Sequence, residues 1–186
     1  MKIMVISGSR NPVGQTARAS AALVEGLESG HAEVETVLLP SRSIERCRQC
    51  DAEGWGQCRT ECRCVIEDDF AVLVEAVRQA DAVVVATPVY FSDVSESLRA
   101  FLDRLRRIAR LEAGKHGLAN KPAVALCVAG GGGGGAPACA AIMEKTLRTI
   151  GFDLVDAICV RRQNLDMKLG VLRLTGRWLA GLQTAR

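Results

Sequence analysis

The chain predicts a three-layer α/β fold. A five-stranded parallel sheet in the order 2-1-3-4-5 lies between helices, with a cysteine-rich insertion after the second strand. Three observations point there. Short apolar runs alternate with helical patterns along the chain. The runs are near-continuous in Val, Ile, Leu and Ala, as strands covered on both faces must be. The first run empties into a loop rich in glycine and hydroxyl groups, and a helix follows at once, as at the carboxyl edge of open parallel sheets.

The strand-like runs are residues 2–6, 33–39, 81–86, 123–128 and 154–160. Helical patterns fill residues 15–28, 69–79, 95–111 and 137–150. A last helix over 165–182 carries Leu165, Leu169, Leu172, Leu179 and Leu182 on one stripe. The 95–111 helix buries Leu98, Phe101, Leu102, Leu105 and Ile108, and Arg104, Arg106, Arg107 and Arg110 read as its solvated basic face. Asp68 and Asp69 read as a charge cluster at a helix start, with no chemistry assigned. Residues 42–66 break the alternation, being polar and cysteine-rich. Residues 1–186 therefore read as one domain with one insertion, about 42–66.

Composition narrows the function classes. Hydrophobic residues make up 48% of the 186, enough for a sizeable core, and a net charge of +3 is too weak to argue for nucleic acid. No apolar stretch is long enough to cross a membrane. The first six residues already form a strand, so no signal peptide is expected and the expected location is the cytoplasm. There the eight cysteines read as thiols or metal ligands rather than disulfides.

The first loop is Ser7-Gly8-Ser9-Arg10-Asn11-Pro12-Val13-Gly14-Gln15-Thr16. Backbone N–H groups at a helix start attract anions, Ser7, Ser9 and Thr16 add hydroxyls, and Arg10 adds charge. Five residues separate Gly8 from Gly14, and Gln15 stands where a triphosphate-binding loop has its lysine. The Gly-x-Gly-x-x-Gly fingerprint of dinucleotide sites is missing as well. A monophosphate such as that of FMN suits the loop; the plainer reading is an ordinary capped turn.

In the 2-1-3-4-5 order the loops after strands one, three and four lie side by side. The second is Thr87-Pro88-Val89-Tyr90-Phe91-Ser92 and the third is the run of six glycines from Gly130 to Gly135. One offers hydroxyls and amides, one aromatic surface, one bare backbone. A flat ring on a phosphate tail fits all three. Taken singly, Pro88 could start a turn, Tyr90 and Phe91 could be core aromatics, and the glycines could be a flexible loop.

With these residues in view, the chain resembles the flavodoxin-like NAD(P)H-dependent FMN reductases and, more closely, the iron–sulfur flavoproteins. The carriers are Gly8-Ser9 with Gly14 and Thr16, Ala80-Asp81-Ala82 leading to Thr87-Pro88-Val89-Tyr90-Phe91, Phe101-Leu102-Asp103-Arg104, and the glycine run. The resemblance implies a flavodoxin-like fold and non-covalent FMN held by Ser9, Arg10, Gly14, Gln15, Thr16, Pro88, Val89, Tyr90, Phe91, Gly130 and Gly131. It also implies NAD(P)H as electron donor, a small-molecule or protein electron acceptor, and a homodimer or homotetramer whose second subunit helps to cover the flavin. The contacts expected for that assembly are the 92–110 helix and the cysteine insertion. The first loop departs from the family, with Arg10-Asn11-Pro12 where Pro and then Arg are usual.

Five cysteines fall within residues 47–64: Cys47, Cys50, Cys58, Cys62 and Cys64. Four thiolates can hold a [4Fe-4S] cluster or zinc, and Arg46, Arg48, Arg59 and Arg63 would favour the thiolate forms. Reduced, unliganded thiols are the alternative. The iron–sulfur flavoproteins use Cys-x2-Cys-x2-Cys and a fourth cysteine; Cys47 and Cys50 match its start, while Glu53 takes the third place. The implied metal ligands are Cys47, Cys50, Cys58 and Cys64, with Cys62 left over because a Cys-x-Cys bite is tight. Cys127, Cys139 and Cys159 read as small buried apolar residues.

The reading that follows is an FMN-dependent oxidoreductase moving electrons from NAD(P)H to an acceptor, with a possible iron–sulfur relay. No residue is assigned as a catalytic nucleophile or base; His31 and His116 sit in polar, loop-like stretches. The other readings are a non-enzymatic electron carrier of flavodoxin type and a zinc-stabilised binding module without flavin.

Overall fold

A computed structural model describes residues 1–182. The strands are β1 (Lys2–Ser7), β2 (Glu33–Leu38), β3 (Ala82–Pro88), β4 (Pro122–Ala129) and β5 (Asp153–Arg161). The helices are α1 (Gln15–Ser29), α2 (Gln57–Thr60), α3 (Phe70–Gln79), α4 (Glu96–Ile108), α5 (Ala136–Ile150) and α6 (Leu165–Ala180). The strands pair in parallel in the order β2-β1-β3-β4-β5, as the alternation predicts.

Each central strand feeds two cores, because successive side chains point to opposite faces. Met4, Ile6, Val83 and Val85 pack under α3, α4 and α5, with Phe70, Phe101 and Met143. Ile3, Val5, Val84 and Leu126 pack under α1 and α6, with Leu23, Leu27, Leu172 and Leu179. That two-sided burial is why these strands lack the polar alternation of a half-exposed sheet.

On the second face α1 and α6 cross closely, and glycines permit it. A Cβ at Gly26 would stand 2.2 Å from the Arg173 carbonyl oxygen, and one at Gly176 would stand 2.2 Å from that of Leu23. Arg173–Glu25 and Arg18–Asp166 ion pairs flank the crossing.

Element ends differ from the sequence reading where local chemistry intervenes. Residue 39 belongs not to β2 but to a 3-10 turn, Leu39–Ser41, since Pro40 has no N–H for a ladder. Helix α4 stops at Ile108, and a 3-10 turn, Glu112–Lys115, follows. Helix α6 ends at Ala180 with Gly181 after it. Residues 42–69 form a long connection whose regular structure is the four-residue α2. Among the described residues no helix is long and apolar enough to cross a membrane.

Candidate functional site: a cleft at the sheet edge and a thiol pocket

Strands β1, β3 and β4 are neighbours, so their carboxyl-end loops come together. The Gly8 N–H donates to the Ala86 carbonyl at 2.9 Å and the Val89 N–H to that of Val128 at 2.9 Å, tying the three loops to one edge. Gly8 also lies against the start of α4: a Cβ there would meet Ser95 Oγ at 2.3 Å.

The first loop shapes itself with its own polar groups. Ser9 Oγ donates to the Asn11 carbonyl at 3.3 Å, and Asn11 Oδ1 accepts the Val13 N–H at 3.0 Å, an Asx-type turn. Helix α1 then begins at Gly14 with no side chain capping it. Its first N–H groups therefore have no intrahelical acceptor and keep the positive end of the helix dipole free. Nearby, the Gln15 Oε1 is buried without a hydrogen-bond partner.

The three loops enclose an open cleft of about 450 Å³, within the range of small-molecule sites. Ser9, Asn11, Gly14, Gln15, Thr16, Pro88, Val89, Tyr90, Val128 and Gly130 to Gly134 line it. Cβ positions on Gly130, Gly131, Gly132 and Gly134 would meet nothing within 4 Å, so the glycine loop presents bare backbone. The Gln163 Nε2 donates to the Gly132 carbonyl at 2.9 Å and anchors this loop from beyond β5.

Nine of the sequence-predicted residues thus line one cleft: Ser9, Gly14, Gln15, Thr16, Pro88, Val89, Tyr90, Gly130 and Gly131. Two do not. Arg10 borders a separate groove beyond Tyr90, with Gly8, Pro40, Ser95, Glu96 and Ser97. Phe91 is fully exposed at a left-handed φ of 48°. Sequence reasoning passed over Asn11 and Val128; the Asn-Pro pair was the available signal for the first.

A second pocket lies near the carboxyl end of α4. Cys47, Cys50, Cys58 and Cys64 all line it, together with Arg48, Trp55, Gln57, Arg104 and Arg107; Cys62 borders a different groove with Phe70 and Val74. Burial pushes the Cys58 thiol up, the Arg107 guanidinium opposes this, and Cys47, Cys64 and Cys50 reinforce it. Among the described residues no three His, Cys, Asp or Glu side chains gather closely enough to hold a single metal ion. The pocket as a whole is narrow, about 20 Å³, room for about one water.

Arg104 corrects the reading of α4's basic residues as a solvated face: its side chain is 1% exposed. It forms a two-pronged ion pair with Asp68, at 2.6 and 2.9 Å, and lies 4.1 Å from the Phe70 ring centroid. Its remaining terminal N–H groups reach the carbonyls of Glu45 at 3.1 Å and Ile66 at 3.4 Å. Asp68 also accepts the backbone N–H of Glu45 and of Phe70. Burial pushes its carboxyl up, but the Arg104 hydrogen bond and the two N–H donors outweigh this and hold it below the usual range. So Asp68 joins the long connection to α3 and α4, a role the sequence reading did not give it. Arg107 and Arg110 each stand 4.7 Å from the Trp55 ring centroid.

The other three cysteines lie on β4, α5 and β5. Cys127 and Cys139 are fully buried and Cys159 partly so, a departure from the expectation of three buried residues. Cys127 and Cys159 face each other across the β4–β5 register. A hydrogen bond with Cys139, together with burial, pushes the Cys127 thiol far up, and the same bond draws Cys139 down.

A five-stranded 2-1-3-4-5 sheet with a hydroxyl, aromatic and glycine cleft at its carboxyl edge defines a flavodoxin-like protein. The sequence profile of the NADPH-dependent FMN reductase family matches residues 1–165, and the chain belongs to that family, as an FMN- and NAD(P)H-dependent oxidoreductase. It is 33% identical over 150 residues to an iron-sulfur flavoprotein of Methanosarcina thermophila, a match covering 81% of this chain and 71% of that one. An iron-sulfur flavoprotein of Archaeoglobus fulgidus is 34% identical over 105 residues, covering 56% of this chain and 46% of its own. The fold is similar to that of an NAD(P)H:quinone oxidoreductase from Methanothermobacter marburgensis, with TM-score 0.68, 19% identity and coverage of 100% and 99% of the two chains. A structure of RosB with bound 8-demethyl-8-formylriboflavin-5'-phosphate gives TM-score 0.73 at 20% identity, covering 97% of this chain and 79% of that one.

Proposed function

We propose that the cleft holds FMN, with the phosphate on the first loop and the ring between the Pro88–Tyr90 side and the glycine loop. The observation that carries this is the uncapped start of α1 opening on the cleft beside the orphaned Gln15 Oε1. A monophosphate satisfies the free amides, and a ring N–H satisfies an orphaned carbonyl oxygen. Ser9 and Thr16 add hydroxyl donors, and Tyr90 covers an edge. Held there by Ser9, Gly14, Gln15 and Thr16, FMN would supply the hydride-accepting and electron-transfer chemistry between NAD(P)H and an acceptor, while the chain's residues bind and orient the reactants. The test is FMN affinity in Ser9→Ala with Thr16→Val. Loss of two charge-assisted hydrogen bonds should weaken binding by roughly 2–4 kcal/mol. Unchanged affinity would put the phosphate elsewhere.

The thiol pocket supports a second element of the reading. Four cysteines lining one pocket, in a chain whose relatives are named iron-sulfur flavoproteins, support a cysteine-ligated iron–sulfur cluster ahead of zinc. Cys47, Cys50, Cys58 and Cys64 would hold it. The narrow space means that loading must move residues 47–58 outward, a stretch whose regular structure is confined to the start of α2. Iron and sulfide analysis of anaerobically reconstituted protein tests this, and Cys50→Ser should lose the iron while keeping FMN. Steady NADH or NADPH oxidation separates the enzyme from a passive electron carrier.

A further inference from the structure

Arginine carries five N–H donors, and the surroundings of Arg104 use four of them. Two go to Asp68, one to the Glu45 carbonyl and one to the Ile66 carbonyl. The fifth, on Nε, is buried and has no hydrogen-bond partner among the described residues. A buried N–H donor left unmade is costly, so such a donor points to a ligand. Arg104 and Cys64 line the same pocket, and after Asp68 the Cys64 sulfur is the group that helps to hold the guanidinium charged. The guanidinium itself cannot drift: Asp68 grips its end, Phe70 backs its face, and α4 fixes its stem.

We propose that Arg104 is a positioning residue that donates its Nε–H to the sulfur of Cys64 when that sulfur ligates the cluster, and thereby sets the cluster's reduction potential. This rests on the cluster reading above. Reduction adds one electron to an already anionic thiolate assembly. A fixed N–H donor and a buried cation both favour the more negative state, and hydrogen bonds to sulfur are a known lever on such potentials. Asp68 cancels much of the cation's long-range field at close quarters, so the directed N–H is the part that the cluster feels most. Arg48 and Arg63 also line the pocket but are half-exposed and paired with Glu45 and Glu61, where solvent screens them.

The experiment is a potentiometric titration of the reconstituted holoprotein, followed by electron paramagnetic resonance, with iron, sulfide and FMN content measured on each sample. Arg104→Gln should keep four irons and FMN and lower the potential by at least 59 mV, a tenfold shift in a one-electron equilibrium. Arg104→Met with Asp68→Asn removes both charges and keeps a polar group near the two backbone N–H donors. Replacing both members of a buried pair usually preserves the fold. Its potential should also fall by 59 mV or more, a tenfold shift in the equilibrium, because the N–H donor is gone although the net charge is unchanged. An iron-loaded Arg104→Gln with wild-type potential overturns the proposal. So does an iron-loaded double variant with wild-type potential, which would leave net charge as the only effect. Wild-type protein that takes up no iron from ferrous iron and sulfide overturns the cluster reading itself, and the iron assay tells that failure from the other two.

Discussion

At the scale of the residue, the Arg104–Asp68 pair governs how the long connection is held. Breaking it by Asp68→Ala leaves a buried guanidinium without its counter-ion and should cost about 3–5 kcal/mol, read as a fall in the urea midpoint. The pH dependence follows from the depressed Asp68 carboxyl. Its folded pKa lies below the unfolded value of about 3.9, so its contribution is complete above that pH and lost as pH falls through the folded value. Wild-type thermal stability should therefore drop more steeply below about pH 4 than that of Asp68→Asn. A parallel pair of curves would remove Asp68 from the acid response. None of this was legible in the sequence. Arg104 sits among three other arginines at 106, 107 and 110, and its charge argued for solvent like theirs. Its position between Phe101 and Ile108 on the apolar stripe was the signal, and a partner 36 residues away was needed to interpret it. The cleft residues were legible because they fall at the carboxyl ends of buried strands and in the loops and helix start that follow them. Arg10 and Phe91 stand outside the cleft lining because turn geometry, not sequence adjacency, decides where a loop side chain points.

At the scale of the element, strand order and the two-sided core could be read from the apolar runs, because parallel strands covered on both faces leave a strong hydrophobic signature. What could not be read was the closeness of α1 and α6, which depends on two glycines far apart in sequence. Gly176→Ala would place a methyl 2.2 Å from the Leu23 carbonyl oxygen and force the helices apart. The expected cost is about 1–3 kcal/mol, as for other overpacked contacts, seen in the urea midpoint. Gly170 is the internal control, since it lies in the same helix and a Cβ there would meet nothing within 4 Å. Gly170→Ala should raise stability by up to about 1 kcal/mol through helix propensity alone. Equal effects at the two positions would mean that the crossing is not tight. The thiol segment behaves differently from both. In metal-free protein Cys50 is exposed while Cys127 and Cys139 are fully buried. Alkylation followed by mass spectrometry should label Cys50 first and the two buried thiols only on unfolding.

At the scale of the whole molecule, the question is what covers the mouth of the cleft. Val13 is 81% exposed, Tyr90 48% and Phe91 105%, and they belong to the loops after β1 and β3, which line the cleft. Exposed apolar groups scattered singly need no explanation, but three from the loops of one binding cleft form a candidate contact. Phe91 adds a conformational argument, because a bulky residue at φ 48° is held in a left-handed turn and pays in strain for projecting outward. A flat cofactor seated in an open cleft would leave a ring face to water, and a second copy brought up by a two-fold axis would cover it while burying Phe91 in both copies. The expected species with FMN bound is therefore a dimer, or a dimer of dimers, in sedimentation velocity. Phe91→Asp places two carboxylates near one another and near apolar groups across such an axis, and should shift the distribution toward monomer at micromolar protein. Because Phe91 stands outside the cleft lining, the variant should still bind FMN, with the ring more open to solvent and its fluorescence more readily quenched by iodide. A monomeric wild type with bound FMN would defeat the two-fold argument. An Asp variant that sediments like wild type would move the interface elsewhere, to α4 or the thiol segment.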